Sequence, residues 1–283
     1  MSSKKHISAA RKAVIIIAAA GIVLSLVYLM YDLVWIPAHF EKLNSELNAD
    51  ESIETDNIQT DQSVQKKYRF IKNKYPDFSG RLIIDGVDVD FPVAQCQNNN
   101  YYLRHTLDGE TDKHGTLFAD YRNNLEELDM NTVIYGHNMK DNTQFGMLNV
   151  YKTVSGYRSG PVVCFSTIRE DYNWKVFAAF LINTMPEDDG GYVFDYTRTD
   201  FSSEKEFSEF YNEVMERSYF ITDTDVLYGD KILTMSTCST LFDDSRLVVM
   251  ARLVRDCESE KADTSSAYAN PNQRFPSAFK KDK

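Results

Sequence analysis

The chain has 283 residues, 43% of them hydrophobic and 13% aromatic, enough apolar side chain to fill a core and too much for a wholly disordered chain. Thirty-one Lys and Arg stand against 42 Asp and Glu, a formal charge of −11; Lys4, Lys5, Arg11 and Lys12 lie in the first twelve residues with no acid, so the remainder carries −15. That balance repels phosphate backbones and acidic lipid heads, which argues against nucleic acid as a partner and against peripheral binding of anionic membranes by the folded part.

In chain order, residues 1–12 read as a basic tail. Residues 13–31 follow with nineteen positions free of charge. At about 1.5 Å per residue they nearly span a ~30 Å hydrocarbon core, and residues 33–36 extend the run past Asp32. A cleaved signal peptide has a shorter apolar region, about 7–15 residues, and ends at a small-x-small site. Here Trp35-Ile36-Pro37 follows, which suits an interfacial anchor, and no polar face marks the run as a buried core helix. Residues 13–36 are therefore read as an uncleaved transmembrane anchor, with the basic tail cytoplasmic and the bulk of the chain extracellular. Residues 37–64 read as a stalk: positions 41–61 hold seven carboxylates against Lys42, and Leu43 and Leu47 support a short helix. A second helix is expected over 65–74, ended by Tyr75-Pro76.

From Gly80 the pattern turns to strands. Residues 81–84 and 87–91 read as a hairpin on an Asp85-Gly86 turn, and further strands are expected at 115–119, 132–135, 161–167, 174–182, 231–237 and 246–254. Irregular spacing and few helical runs favour a closed or sandwiched, mainly β architecture over βαβ winding. One helix stands out: Ser203 and Glu206 form a capping box, and Phe207, Phe210, Tyr211, Val214 and Met215 make one apolar face to lay against the sheet. Residues 258–283 are polar, contain proline and lack periodicity, and read as a flexible tail.

The four cysteines, Cys96, Cys164, Cys238 and Cys257, show no CxxC and no metal-ligand spacing with histidine, so neither a zinc site nor another metal is expected. A disulfide among Cys96, Cys164 and Cys257 stays open. Cys238 ends the strand-like run 231–238 and precedes a loop with Asp243 and Asp244, where a side chain is open to chemistry. A cysteine taken alone is more often a small buried hydrophobe; its neighbours single this one out. Arg246, eight residues on, opens the next strand. If the two strands pair antiparallel, its guanidinium lies across from Cys238, where it favours negative charge at the sulfur and can bind a developing oxyanion. His137 follows the strand 132–135 and Gly136, again at a strand end, and a histidine there can give a proton to a leaving amine and take one from an incoming amine. The other histidines are read as structural: His6 in the tail, His39 in the stalk, and His105 and His114 flanking a Gly/Asp-rich turn.

These segments resemble those of class B sortases. Ile134-Tyr-Gly-His-Asn-Met-Lys140 with Phe145-Gly146 is similar to the family's histidine segment, and Thr234-Met-Ser-Thr-Cys238 to its TLxTC motif, with Met235 where leucine is usual. Arg246 matches the downstream arginine at a strand start. Tyr75-Pro-Asp-Phe-Ser-Gly-Arg-Leu-Ile-Ile, Phe91-Pro-Val, Tyr102-Leu-Arg and the run from His114 to Asn123 agree as well, Arg81 standing where tryptophan is common. The likeness extends over about residues 65–255.

The resemblance implies an eight-stranded sortase-type β-barrel with N-terminal helices and an extra helix, here 203–217, between strands 6 and 7. It implies a catalytic domain at 65–257, with His137, Cys238 and Arg246 catalytic and Asn99, Leu103, Ser236 and Thr237 on the substrate groove. The implied activity is cysteine transpeptidation without a cofactor: a sorting pentapeptide of a secreted protein, NPQTN-like or (S/P)PxTG-like, is cut at threonine through a thioester. The acyl group then passes to an amine of a peptidoglycan precursor or a pilin.

Three rivals fit less well. An L,D-transpeptidase places its histidine close before its cysteine, whereas here they are 101 positions apart. In papain-like wall hydrolases the cysteine precedes the histidine. A catalytically silent, membrane-anchored binding module would tolerate Cys238→Ser and be indifferent to thiol-directed reagents.

Overall fold

The computed structural model describes residues 9–47 and 63–279, so the first eight residues of the basic tail and most of the stalk lie outside the described residues. The chain divides into two compact units, Met1–Ile53 and Glu54–Lys283. In the first, α1 (Ala9–Met30) passes through a π-helical turn at Tyr31–Trp35 into α2 (Ile36–Leu47). The π turn places Tyr31 and Trp35 in a stack with ring centroids 5.0 Å apart. Ala10–Met30, with a mean hydropathy of 2.7 and no part of its most apolar stretch buried, is long and apolar enough to cross a membrane by length and composition.

The second unit opens on a 3₁₀ turn, Lys66–Tyr68, that leads into α3 (Arg69–Lys74). Strands β1 (Phe78–Ile84) and β2 (Val89–Ala94) then pair antiparallel. Their reversal differs from the two-residue Asp-Gly turn expected from sequence: Asp85–Val87 form a 3₁₀ turn and Asp88 takes the left-handed conformation (φ 53°). Gly86 is required for close approach, since a Cβ there would lie 1.6 Å from the carbonyl oxygen of Ser159. There follow β3 (Leu117–Ala119), β4 (Asn131–Tyr135), α4 (Val154–Ser159), β5 (Val162–Thr167), β6 (Asp171–Asn183), α5 (Glu204–Arg217), β7 (Phe220–Ile221), β8 (Ile232–Cys238), β9 (Ser245–Leu253) and β10 (Tyr268–Ala269).

Eight of these strands close a barrel in the order β1-β2-β3-β4-β8-β9-β6-β5, with β1 hydrogen-bonded to β5. Most neighbours are antiparallel, while β2–β3 and β4–β8 are parallel. Buried Phe78, Leu82, Val133, Phe165 and Leu233 are among the apolar residues of the core. Helix α5 lies between the sixth and seventh barrel strands in chain order, as expected, and covers the sheet from outside. Its Phe207, Phe210 and Val214 join Phe177, Phe180, Ile182, Val248 and Met250 in one cluster with Phe194 and Phe201. Most of β6 is therefore buried on both faces, with the barrel core on one side and the helix on the other. Each phenylalanine fully buried this way contributes about 1.5–3 kcal/mol.

Ser203 caps α5, its Oγ accepting from the Glu206 N–H at 3.3 Å, but only half of the expected capping box forms. The Glu206 carboxylate instead accepts from the N–H and hydroxyl of Ser202, at 2.7 and 2.6 Å, and pairs with Arg198.

Of the stretch read as a flexible tail, residues 258–279 are described, and they are bound to the barrel unit. β10 pairs with β7 as a small second sheet. Asn270 Nδ2 donates to the carbonyls of Met215 and Ser218 at the end of α5, Gln273 donates to Arg217 O, and Ser277 to Asp189. The sequence concealed this because these ties are polar and leave no hydrophobic period.

Candidate active site

The parallel pairing of β4 with β8 sets the site. Tyr135 lies opposite Ser236, and the Gly136 N–H donates to Ser236 O at 3.1 Å. Two residues beyond these partners come His137 and Cys238, so both leave the same end of the barrel on adjacent strands. On the other side of β8, the antiparallel register with β9 puts Arg246 opposite Cys238. Cys238 is thus flanked by the strand leading to His137 and the strand that carries Arg246. Every residue of β8 before it is buried, whereas Cys238 is exposed and its thiol free.

His137 is half-buried, with Nε2 2.7 Å from the carbonyl oxygen of Leu103. A carbonyl can only accept, so Nε2 carries a proton and Nδ1 is the nitrogen left for proton exchange. The residues after it form a short closed hairpin: the Phe145 N–H donates to His137 O at 3.0 Å, and Asn138 and Gln144 form a bridge. Arg246 is half-buried, with Nη1 donating to Ser245 O at 3.0 Å.

Leu103 ends a 3₁₀ turn, Tyr101–Leu103, and its carbonyl joins it directly to His137. Asn99 sits apart from this contact. Its amide donates to Asp120 Oδ2 at 3.0 Å and its oxygen accepts from the Tyr121 N–H, so it ties down the chain after β3. Ser236 and Thr237 are each only 2% exposed. Ser236 Oγ is 2.8 Å from the hydroxyl of Tyr196, while Thr237 Oγ1 is buried with no hydrogen-bond partner among the described residues.

Two polar groups of the site escaped the sequence reading. Asp120 is fully buried at the end of β3. It accepts from the N–H, Nε and Nη2 of Arg122, from Tyr135 Oη at 2.9 Å and from Asn99. Burial alone would raise its pKa, but the bonds from Arg122 and Tyr135 outweigh it and hold the carboxyl below the usual range. Arg122 also donates to Thr197 O at 3.1 Å, which links this hub to the loop of Tyr196. Burial pushes the Tyr196 hydroxyl up, against the bond to Ser236 and the charge of Arg246, while Cys238 acts in the same direction as burial. Tyr196 therefore lies within electrostatic reach of both Cys238 and Arg246. The sole trace in the sequence was an acid closing an apolar strand with an arginine two residues on.

The chain has relatives among known proteins. A family model described as the sortase domain matches residues 82–254. A sortase B of Listeria monocytogenes is 32% identical over 193 residues, covering 68% of this chain and 75% of that protein. One of Staphylococcus aureus is 29% identical over 194 residues, covering 68% and 76%. Among solved structures, a Staphylococcus aureus sortase B–substrate complex matches with a TM-score of 0.68 at 28% identity, over 80% of this chain and 99% of that one. A Bacillus anthracis protein described as similar to sortase B matches with a TM-score of 0.61 at 34% identity, over 69% and 86%.

Proposed function

This chain belongs to the sortase family, class B, and from that membership in a family of cysteine transpeptidases we propose that Cys238 is its nucleophile, His137 its proton carrier and Arg246 its electrostatic partner. The observation that supports the assignment is the strand register, which sets an exposed thiol between the strand leading to His137 and the strand holding Arg246. Cys238 gives its proton to Nδ1 of His137, and the sulfur attacks the threonine carbonyl of a sorting pentapeptide on a secreted protein. Negative charge on the tetrahedral oxygen is met by Arg246 and by backbone N–H groups near Cys238. His137 returns the proton to the departing amine, the C–N bond breaks and a thioester remains.

In the second half an amine of a peptidoglycan precursor or a pilin attacks the thioester. Its proton passes to His137, an amide forms, and the sulfur leaves to recover its proton. Thiol, imidazole and guanidinium supply nucleophile, proton and charge, so the chemistry calls for no metal or organic cofactor. The peptide lies along Asn99 and the Tyr101–Leu103 turn and above Ser236 and Thr237. Residues 13–36 anchor the protein in the cell membrane with its N-terminus cytoplasmic, so that the catalytic domain at 65–257 meets exported substrates outside.

The test is incubation of the full chain, in detergent, with a panel of sorting peptides and an amine acceptor, followed by product masses. The wild type is expected to give the fragment cut after threonine and its amide adduct, and Cys238→Ala neither. Continued cleavage by Cys238→Ala defeats the assignment.

A further inference from the structure

His114 is 2% exposed, and each of its ring nitrogens meets a carboxylate: Nδ1 is 2.7 Å from Asp112 Oδ1 and Nε2 3.1 Å from Asp141 Oδ2. The same Asp112 oxygen accepts from the His114 backbone N–H at 2.6 Å. Two ionised carboxylates can be satisfied together only if both nitrogens donate, which makes the ring an imidazolium. Burial opposes that charge, but Asp112 and Asp141 outweigh it, and the pKa of His114 is raised.

The two carboxylates belong to different parts of the site. Asp112 is next to the segment beneath the Tyr101–Leu103 turn. There the Thr116 N–H donates to Tyr102 O at 3.0 Å, and a Cβ on Gly115 (φ 61°) would lie 2.2 Å from Tyr102 O and 3.0 Å from the Leu103 carbonyl carbon. This segment thus supports the carbonyl to which His137 donates. Asp141 lies in the hairpin that begins at His137. Its Oδ1 accepts from the N–H and hydroxyl of Thr143, and Gln144 Nε2 reaches Gly115 O at 3.3 Å. Asn142 and Gln144 adopt left-handed φ values of 64° and 53°, which side chains disfavour, so the hairpin depends on such outside ties. The Asp112–His114–Asp141 bridge is an ionic tie of this kind.

We propose that His114 is a positioning residue for the transfer reaction: by joining Asp141 to Asp112 it fastens the hairpin of His137 to the segment supporting Leu103, keeping the Nε2–H bond to Leu103 in place and Nδ1 free to carry the proton. The proposal rests on the reading of His137 as proton carrier. His114 itself touches neither substrate nor thiol.

The experiment uses the full chain in detergent with Asp141→Ala and Asp141→Asn. Removal of the carboxylate should lower kcat by about 10- to 100-fold while KM stays within about threefold, because a misplaced proton carrier slows chemistry rather than binding. Asp141→Asn should recover kcat to within about threefold of wild type, since its amide can donate to a neutral His114 whose Nδ1–H still serves Asp112. The activity-independent reading is ¹⁵N NMR of the His137 ring. A protonated Nε2 is expected in the wild type and in Asp141→Asn, and averaging between tautomers in Asp141→Ala. Unchanged kcat in Asp141→Ala, failure of Asp141→Asn to recover it, or a His137 spectrum identical in Asp141→Ala and wild type each overturns the proposal. If the wild type cleaves no sorting peptide, the transferase reading falls, and the spectrum alone then upholds or overturns the positioning role.

Discussion

Under the proposed mechanism, Arg246 is the side chain that meets the negative charge. It stands opposite Cys238 on β9, half-buried and braced by its bond to Ser245 O. A guanidinium fixed in advance meets developing negative charge without reorganisation, and loss of one such donor costs about 2.7–4 kcal/mol of barrier. Arg246→Ala should therefore lower kcat for peptide cleavage by about 10²–10³-fold. Arg246→Lys should recover only part of this, because an ammonium is a point charge without the planar fork; steady-state kinetics on one sorting peptide separate the three proteins. Arg246, His137 and Cys238 were legible in the sequence as candidates, because each sits where an apolar run meets a loop and its segment resembles a sortase motif. Asp120, Tyr196 and His114 were not. Each is a buried polar group with a partner from a distant segment, such as Asp120 with Asn99 and Tyr135 or His114 with Asp141, and although Arg122 and Asp112 lie only two residues from Asp120 and His114, no spacing along the chain encodes the distant meetings.

At the scale of elements, the barrel strands were legible as apolar runs. The expected 161–167 and 231–237 became Val162–Thr167 and Ile232–Cys238. β6 outgrew its expected 174–182 because pairing with β5 and β9 carries it to Asp171 and Asn183. The two-residue strands β7 and β10 offered no pattern to read. Their importance lies in the end of α5, where the last carbonyls of a helix lack intrahelical donors. Asn270 serves Met215 O and Ser218 O, Gln273 serves Arg217 O, and the Arg274 N–H serves Glu216 O. Ending the chain at residue 263 removes all of these. Amide exchange over residues 213–221 should then quicken while β4 and β8 keep their protection, and the thermal midpoint should fall by roughly 2–4 °C for each kcal/mol lost.

For the whole molecule, the division into Met1–Ile53 and Glu54–Lys283 leaves the barrel core entirely within the second unit. A protein beginning at Glu54 should therefore fold without the apolar helix and without detergent, with a thermal midpoint close to that of the full chain. Calorimetry of the two side by side is the check, and a fragment that melts without a cooperative transition rules this out. Folding itself should be slow for the size of the unit, because β4 and β8 pair residues about 100 positions apart, Asn131 with Ile232, before the barrel can seal. Sealing has a further consequence. Every strand in the ring has a neighbour on each side; the pairing is thin beside the short β3, which meets β2 and β4 through two residue pairs each, but β8, which carries Cys238, is paired with β4 and β9 and offers no margin on which an extended peptide could settle as an added strand. A linear ligand must be gripped instead by side chains and turns around the rim, and a change of preferred ligand is a matter of exchanging those turns while the staves of the ring stay as they are.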